Sequence, residues 1–375
     1  MKILFFVHRL DGTDGWSRYG RDLAGEIGRQ GHEVLCLVHK KTGSSEFKEK
    51  DVLGQPLGYI ANPLAAYKLA RRIRLVVKEF DPDIVHFIVE PYATVLPFLR
   101  LVHAKAILTI HGTYAVAPLL FFGLKRRLAF GLARVYYYKV NKVISVSEYT
   151  RKHALKYFPS LAEKITVITN GVNLENFSAV ALEKTRNSPV KNILFVGATK
   201  PRKGILEAIA ALDYYAKHYN QDFVYNIIGD YEADQDYYQA VKAKIAEAGL
   251  VDRIFFRGRV SEAELAKYYQ EADLFLMLPR NDGIAFEGFG LVYLEANAYG
   301  APCVGAIGSG AAEAIADGRT GYSVEPGDYS KAAEKIDLVL NKKTIQRQAC
   351  LDWAAENDIK NKVEEILALY QSQFG

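Results

Sequence analysis

Short apolar runs alternate with helix-length amphipathic stretches along the whole chain. KILFFV (2–7), EVLCLV (33–38), DIVHFI (83–88), AILTI (106–110), KVISVS (142–147) and KITVIT (164–169) read as strands, with segments such as RYGRDLAGEIGRQG and LAAYKLARRIRLVVKEF between them. Runs rich in β-branched residues and separated by helical patterns predict a parallel sheet covered on both faces. The rhythm then restarts with NILFVG (192–197), VYNIIGD (224–230), RIFFRG (253–258), LFLMLP (274–279) and PCVGA (302–306). Between the two series, FSAVALEKTRNSPVKN is polar and strandless and reads as a linker. The pattern predicts an α/β protein of two doubly wound, Rossmann-like domains facing across a cleft. The expected divisions are 1–178, a linker at 179–190, a second domain at 191–355, and a C-terminal helix, 356–375, packing back on the first domain. Ligands of open parallel sheets sit at the carboxyl ends of strands, so the chemistry is sought just after each strand.

The length, 375 residues, suits two cores rather than one, and the balance of 50% hydrophobic to 24% charged residues is that of a globular protein. No run of eighteen apolar residues occurs, so no transmembrane span is expected. MKILFFVHRLDG has too short an apolar stretch for a signal peptide and reads as the first strand. Cys36, Cys303 and Cys350 are odd in number and widely spaced, which fits neither a disulfide framework nor a zinc site and points to a reducing, cytoplasmic compartment. Charge is uneven. Residues 1–180 carry 26 Lys and Arg against 15 Asp and Glu, whereas 181–375 carry 22 against 28. No nucleic-acid-binding pattern accompanies the basic half, so nucleic acid is not an expected partner. An anionic membrane surface or an acidic lipid-linked substrate accounts for it more simply.

Three stretches carry candidate chemistry. In EGFGLVYLEANAYGAPCVG (287–305), Glu287 and Glu295 flank a glycine turn that opens a helix. Eight helical residues separate two carboxylates by roughly 12 Å. That is too far for a glycosidase pair, which needs about 5–9.5 Å, but suits a grip on two ends of one long ligand. The amides of Gly288, Phe289, Gly290, Leu291 and Val292 would sit at a helix amino terminus, which attracts phosphate. In NILFVGATKPRKG (192–204), Gly197 ends a strand and the loop delivers Lys200, Arg202 and Lys203, cations able to neutralise a diphosphate. SGAAEAIADGRTGYSVEPGD (309–328) is a glycine-rich connector before a short strand.

In this order the three stretches resemble the retaining GT-B glycosyltransferases of glycosyltransferase family 4, in the phosphatidylinositol mannosyltransferase-like group. The amino-terminal half agrees through DGTDGWSRYGRDLAGEIGRQGHEV (11–34), LTIHGTY (108–114) and VITNGVNLENF (167–177). The resemblance implies that Glu287 contacts donor-sugar hydroxyls and Glu295 the ribose. It implies that the amides from Gly288 to Val292 cradle sugar and diphosphate, with Arg202 and Lys203 neutralising the pyrophosphate. His111 would lie over the sugar, and Gly15 would let the first loop approach the phosphates. Configuration would be retained by same-face attack, with a donor phosphate oxygen taking the acceptor's proton. Ala198, Asn173 and Asp14 depart from the family's usual Arg, Asp and Gly.

Asp81-Pro82-Asp83 and Asp234-Gln235-Asp236 spell the D-x-D of metal-dependent transferases, but one precedes a strand and the other opens an acidic helix. No metal and no cofactor is expected beyond the substrate nucleotide sugar, GDP-mannose or a UDP-sugar. Residues 118–142 mix aromatics with Lys125, Arg126, Arg127, Arg134 and Lys139, a pattern that fits either an anionic membrane surface or a core helix with a solvated face. The tyrosine pairs at 214–215, 237–238 and 268–269 read as helix packing. The expected activity is transfer of a sugar, mannose favoured, to a lipid-linked or polysaccharide-precursor acceptor, at the cytoplasmic face if membrane-associated. A dinucleotide oxidoreductase would need G-x-G-x-x-G after the first strand, which HRLDGTDGWSRYG lacks. A non-catalytic nucleotide-sugar-binding protein is the remaining alternative.

Overall fold

The computed structural model describes residues 1–43, 46–177 and 188–374. Most of the expected linker, 179–187, lies outside the described residues. The chain divides into two compact units, Met1–Asn170 with Ile359–Gly375, and Gly171–Asp358.

The first unit holds strands β1 (Lys2–Phe6), β2 (Glu33–Val38), β3 (Lys48–Asp51), β4 (Ile84–Phe87), β5 (Lys105–Ile110), β6 (Lys142–Ser145) and β7 (Ile165–Val167). Among the described residues these pair, all parallel, in the order β3-β2-β1-β4-β5-β6-β7. Its helices are α1 (Gly15–Arg29), α2 (Pro63–Phe80), α3 (Gly123–Lys139) and α4 (Glu148–Tyr157). Alternate residues of β1 feed two cores: Leu4 and Phe6 join Leu69 and Ile73 of α2, while Ile3 and Phe5 join Tyr19, Leu23 and Ile27 of α1. Strand β3, KEKD, has no apolar residue and went unread in the sequence. It is an edge strand held by its backbone ladder to β2, with Lys48 and Asp51 exposed and Glu49 and Lys50 half-buried.

The second unit holds β8 (Lys191–Val196), β9 (Phe223–Ile228), β10 (Ile254–Gly258), β11 (Leu274–Leu276), β12 (Cys303–Ala306) and β13 (Gly321–Val324), in the order β10-β9-β8-β11-β12-β13. Helices α5 (Ile205–His218), α6 (Gln235–Glu247), α7 (Glu262–Glu271), α8 (Leu291–Ala298), α9 (Tyr329–Leu340) and α10 (Arg347–Glu356) accompany it. Both sheets therefore reverse strand order beside their first strand, the switch point where ligands of doubly wound folds bind.

The boundary falls at Asn170 rather than 178, because the Val172 amide donates to Asn357 O at 2.9 Å and ties this segment to the second unit. The final helix α11 (Ile359–Gln371) belongs with the first unit. It buries Ile359, Val363, Ile366, Leu367 and Tyr370 in the core shared with α1. Each such side chain contributes about 1.5–3 kcal/mol by burial. The Tyr370 hydroxyl meets His86 Nδ1 at 2.5 Å, anchoring α11 to β4. The three cysteines are free and buried, and among the described residues no helix is long and apolar enough to cross a membrane.

Ile366→Ala is expected to destabilise the protein by about 2–5 kcal/mol, as a buried large-to-small change does. Denaturant unfolding, followed by a probe in the first sheet, measures it.

Candidate active site

The carboxyl edge of the second sheet gathers the expected donor-side groups. Past β8 and Gly197, residues Pro201–Lys203 form one 3₁₀ turn, closed by Gly204 at φ 69°, from which α5 begins. A Cβ on Gly204 would lie 1.6 Å from Leu278 O, so the turn rests directly on the backbone leaving β11 and admits only glycine. The Arg280 amide donates to Arg202 O at 3.2 Å and fastens the turn from the same side. Gly197 itself takes φ 155°, a backbone conformation that L side chains rarely adopt, at the point where the chain leaves the strand.

This positioning brings both cations onto one carboxylate. Arg202 Nη1 donates to Glu287 Oε2, and Lys203 Nζ donates to Oε1 at 3.0 Å. The Lys203 and Glu287 side chains are each 12% exposed. Burial alone would raise the Glu287 carboxyl, but Lys203 and Arg202 outweigh it and hold the group below its ordinary value. Burial lowers the Lys203 ammonium against the pull of Glu287. Two cations against one carboxylate leave a net positive charge, suited to an incoming anion.

Glu287 O accepts from the Gly310 amide at 2.9 Å, joining this segment to the turn after β12. Gly290, at φ 75°, caps α8. A Cβ there would fall 2.8 Å from Tyr293 Cδ2 and 3.2 Å from Ala311 Cβ. Gly288 and Phe289 are buried, and Leu291 and Val292, half-buried, begin the helix. Amides of a first helical turn lack intrahelical acceptors, so the expected anion-attracting terminus is formed here. Glu295 lies one turn further along α8 and is only 2% exposed. The Tyr269 hydroxyl donates to its Oε2 at 2.7 Å, and Tyr269 stacks on Tyr299 with ring centres 5.5 Å apart. Tyr269, read from the sequence as packing alone, thus fixes a candidate site carboxylate. Its signal was position: the hydroxyl of a buried tyrosine needs a partner.

Gly15 and His111 belong to the first unit. Gly15 opens α1 with no atom within 4 Å of its would-be Cβ, and Asp14 before it is the helix cap, accepting from the Ser17 amide at 2.8 Å. The departure at Asp14 therefore supplies a capping box. Asn173, in the second unit, accepts from the Glu175 amide at 3.1 Å. His111 follows β5 and is half-buried, its Nε2 donating to Ile88 O at 2.9 Å. A carbonyl only accepts, so Nε2 carries the proton and Nδ1 keeps its lone pair. Burial pushes this imidazole down to about 4, so it is neutral at pH 7.

Both D-x-D stretches serve structure. Asp83 accepts from the Lys2 amide at 2.7 Å, Asp81 ends α2 in the left-handed region, and Asp234 caps α6. Among the described residues no three His, Cys, Asp or Glu side chains gather as a metal site.

Gly204→Ala is expected to cost on the order of 3 kcal/mol or more, since strained φ and backbone overlap act together; thermal unfolding checks it. Glu287, with its folded pKa depressed, contributes stability that is present above its ordinary value of 4.5 and lost as pH falls through the folded value. Melting curves from pH 7 to pH 3 are expected to show a shallower acid limb for Glu287→Gln than for the wild type.

Comparison with known proteins bears on the family and the fold. Residues 13–176 match the family described as Glycosyltransferase Family 4, and residues 177–357 match Glycosyl transferases group 1. The chain is 26% identical to the GDP-mannose-dependent alpha-(1-6)-phosphatidylinositol monomannoside mannosyltransferase of Mycolicibacterium smegmatis, covering 92% of this chain and 91% of that protein. It is also 26% identical to the phosphatidyl-myo-inositol mannosyltransferase of Mycobacterium leprae, over 74% of this chain and 69% of that one. Among solved structures, a glycosyltransferase from Rickettsia africae superposes with a TM-score of 0.75 at 22% identity, covering 99% of this chain and 98% of that one. An Anabaena protein in complex with UDP and glucose superposes at 0.74 and 19%, covering 99% and 100%. Matched in sequence from residue 13 to 357 and in fold throughout, the chain is a GT-B glycosyltransferase of family 4.

Proposed function

We propose that this glycosyltransferase moves mannose from GDP-mannose, with retention of configuration and without a metal, to a lipid-linked or polysaccharide-precursor acceptor. The observation that carries the reading is the half-buried cluster of Arg202, Lys203 and Glu287 beside the amino terminus of α8. In this reading the cations and the amides from Gly288 to Val292 neutralise the diphosphate leaving group as the anomeric bond breaks. Glu287 takes sugar hydroxyls, Glu295 takes the ribose, and His111 offers Nδ1 to the sugar. Mannose is favoured because the Mycolicibacterium smegmatis and Mycobacterium leprae relatives are named as mannosyltransferases, the first of them GDP-mannose-dependent. A UDP-sugar is the second reading, favoured by the fold shared with the UDP-bound Anabaena protein.

We further propose that the acceptor is reached at an anionic membrane surface through α3. Phe122, Leu124 and Tyr138 are 86%, 72% and 82% exposed. Lys125, Arg126, Arg127 and Arg134 are exposed among them. Apolar side chains interleaved with cations on one helix suit the headgroup boundary of anionic lipid.

GDP-mannose at 100 times its Kd is expected to stabilise the protein by about 2.7 kcal/mol. Lys203→Ala is expected to abolish that shift, and failure of both GDP and UDP to move the melt would refute the donor site. Glu287→Ala is expected to lower transfer at least about 100-fold, the scale of a lost transition-state contact. In co-sedimentation with phosphatidylglycerol vesicles, the double variant Phe122→Ala/Leu124→Ala is expected to stay in the supernatant while the wild type pellets.

A further inference from the structure

Residue 111 is held at two points by the segment that leaves β4. Its ring Nε2 donates to Ile88 O at 2.9 Å, and its main-chain N–H donates to Glu90 Oε1 at 2.6 Å. Glu90 is 1% exposed, and its Oε2 is buried with no hydrogen-bond partner. A carboxyl group placed wholly inside a protein, with half its hydrogen-bonding capacity unmet, costs stability. Beyond its own backbone, the carboxyl is met by the amide of the histidine that the proposed reaction uses. Both holding groups come from one short stretch, so main chain and ring of His111 are set by the same two residues. An apolar side chain at position 90 would leave the His111 amide without that acceptor and release one of the two points.

We infer that Glu90 is a positioning residue for the transfer reaction: its buried carboxyl fixes the His111 main chain, and through it the direction of the imidazole. The inference rests on the reading that His111 faces the donor sugar. The group need not be charged to do this. Burial pushes the Glu90 carboxyl up to about 8, so at neutral pH it is mostly the neutral acid and accepts through its carbonyl oxygen. A glutamine amide offers the same acceptor, so Glu90→Gln should keep the function where Glu90→Leu loses it. The raised value also has a sign. Glu90 favours the folded state least where it must ionise, so its contribution to stability declines as pH rises from its ordinary value of 4.5 through about 8. Glutamine removes that decline.

The test combines a spectrum with a coupling measurement. Long-range proton–nitrogen correlation on the nitrogen-labelled chain reads the His111 ring, assigned through its loss in His111→Ala. The expected result is an Nε2–H tautomer in the wild type and in Glu90→Gln, and a displaced or averaged signal in Glu90→Leu. Release of nucleoside diphosphate is then followed with GDP-mannose, and separately with UDP-glucose, for wild type, Glu90→Gln, Glu90→Leu, His111→Ala and Glu90→Leu/His111→Ala. Glu90→Leu should lose about tenfold in kcat with KM little changed, Glu90→Gln should stay near the wild type, and the double variant should turn over no more slowly than His111→Ala, since coupled residues do not add. An unmoved His111 signal in Glu90→Leu overturns the inference, and so does a loss that multiplies fully with that of His111→Ala. If Glu90→Leu does not fold, Glu90→Gln decides: a displaced His111 signal, or a turnover as low as that of His111→Ala, overturns the inference. If instead His111→Ala itself leaves turnover unchanged, it is the sugar-facing reading of His111 that falls, while the ring signal still decides whether Glu90 sets the histidine.

Discussion

A carboxylate largely withdrawn from water is tolerable only when cations replace its hydration, and Glu287 meets that condition through Arg202 and Lys203. The desolvation of such a cluster is expensive, and removing one partner leaves an uncompensated buried charge. Everything about the local backbone serves to meet this requirement. Gly204 presses the Pro201–Lys203 turn onto the chain leaving β11, and Gly310 holds the Glu287 carbonyl from the other side. In the proposed reaction this preorganisation is what serves catalysis, because dipoles and charges already fixed in place need no rearrangement when a leaving group develops charge.

The first unit solves a different problem with neutral groups. His111 is kept uncharged by burial and its tautomer is dictated by the Ile88 carbonyl. Thus the second unit holds a charged cluster, and the first holds a neutral ring of fixed tautomer.

Much of this was legible in the sequence where burial on both faces leaves a continuous apolar run, as in KILFFV and EVLCLV. It was illegible where the backbone alone makes the element. KEKD is a strand because β2 offers it a ladder, and no side-chain pattern records that. The cluster of Arg202, Lys203 and Glu287 could be named from position after strands, but their mutual contact joins residues more than eighty apart and only the fold discloses it. Glu295 was visible as a carboxylate, whereas its pairing with Tyr269 was not, since a buried tyrosine needs a partner but its sequence does not say which. Glu90, two residues past a run that was read as a strand, went unremarked because one acidic residue near a strand end has no distinguishing spacing.

The return of α11 to the first unit has a consequence for how the protein is made. The second unit is an insertion within the first, and the contact between His86 and Tyr370 spans 284 residues of chain. A ribosome therefore releases a whole insert able to collapse locally while one side of the earlier sheet still waits for its cover. Until the last residues emerge, Ile3, Phe5 and Ile84 lack part of the apolar layer that shields them. The nascent polypeptide thus carries a sticky flank for most of its synthesis, a natural target for a chaperone that binds hydrophobic strands.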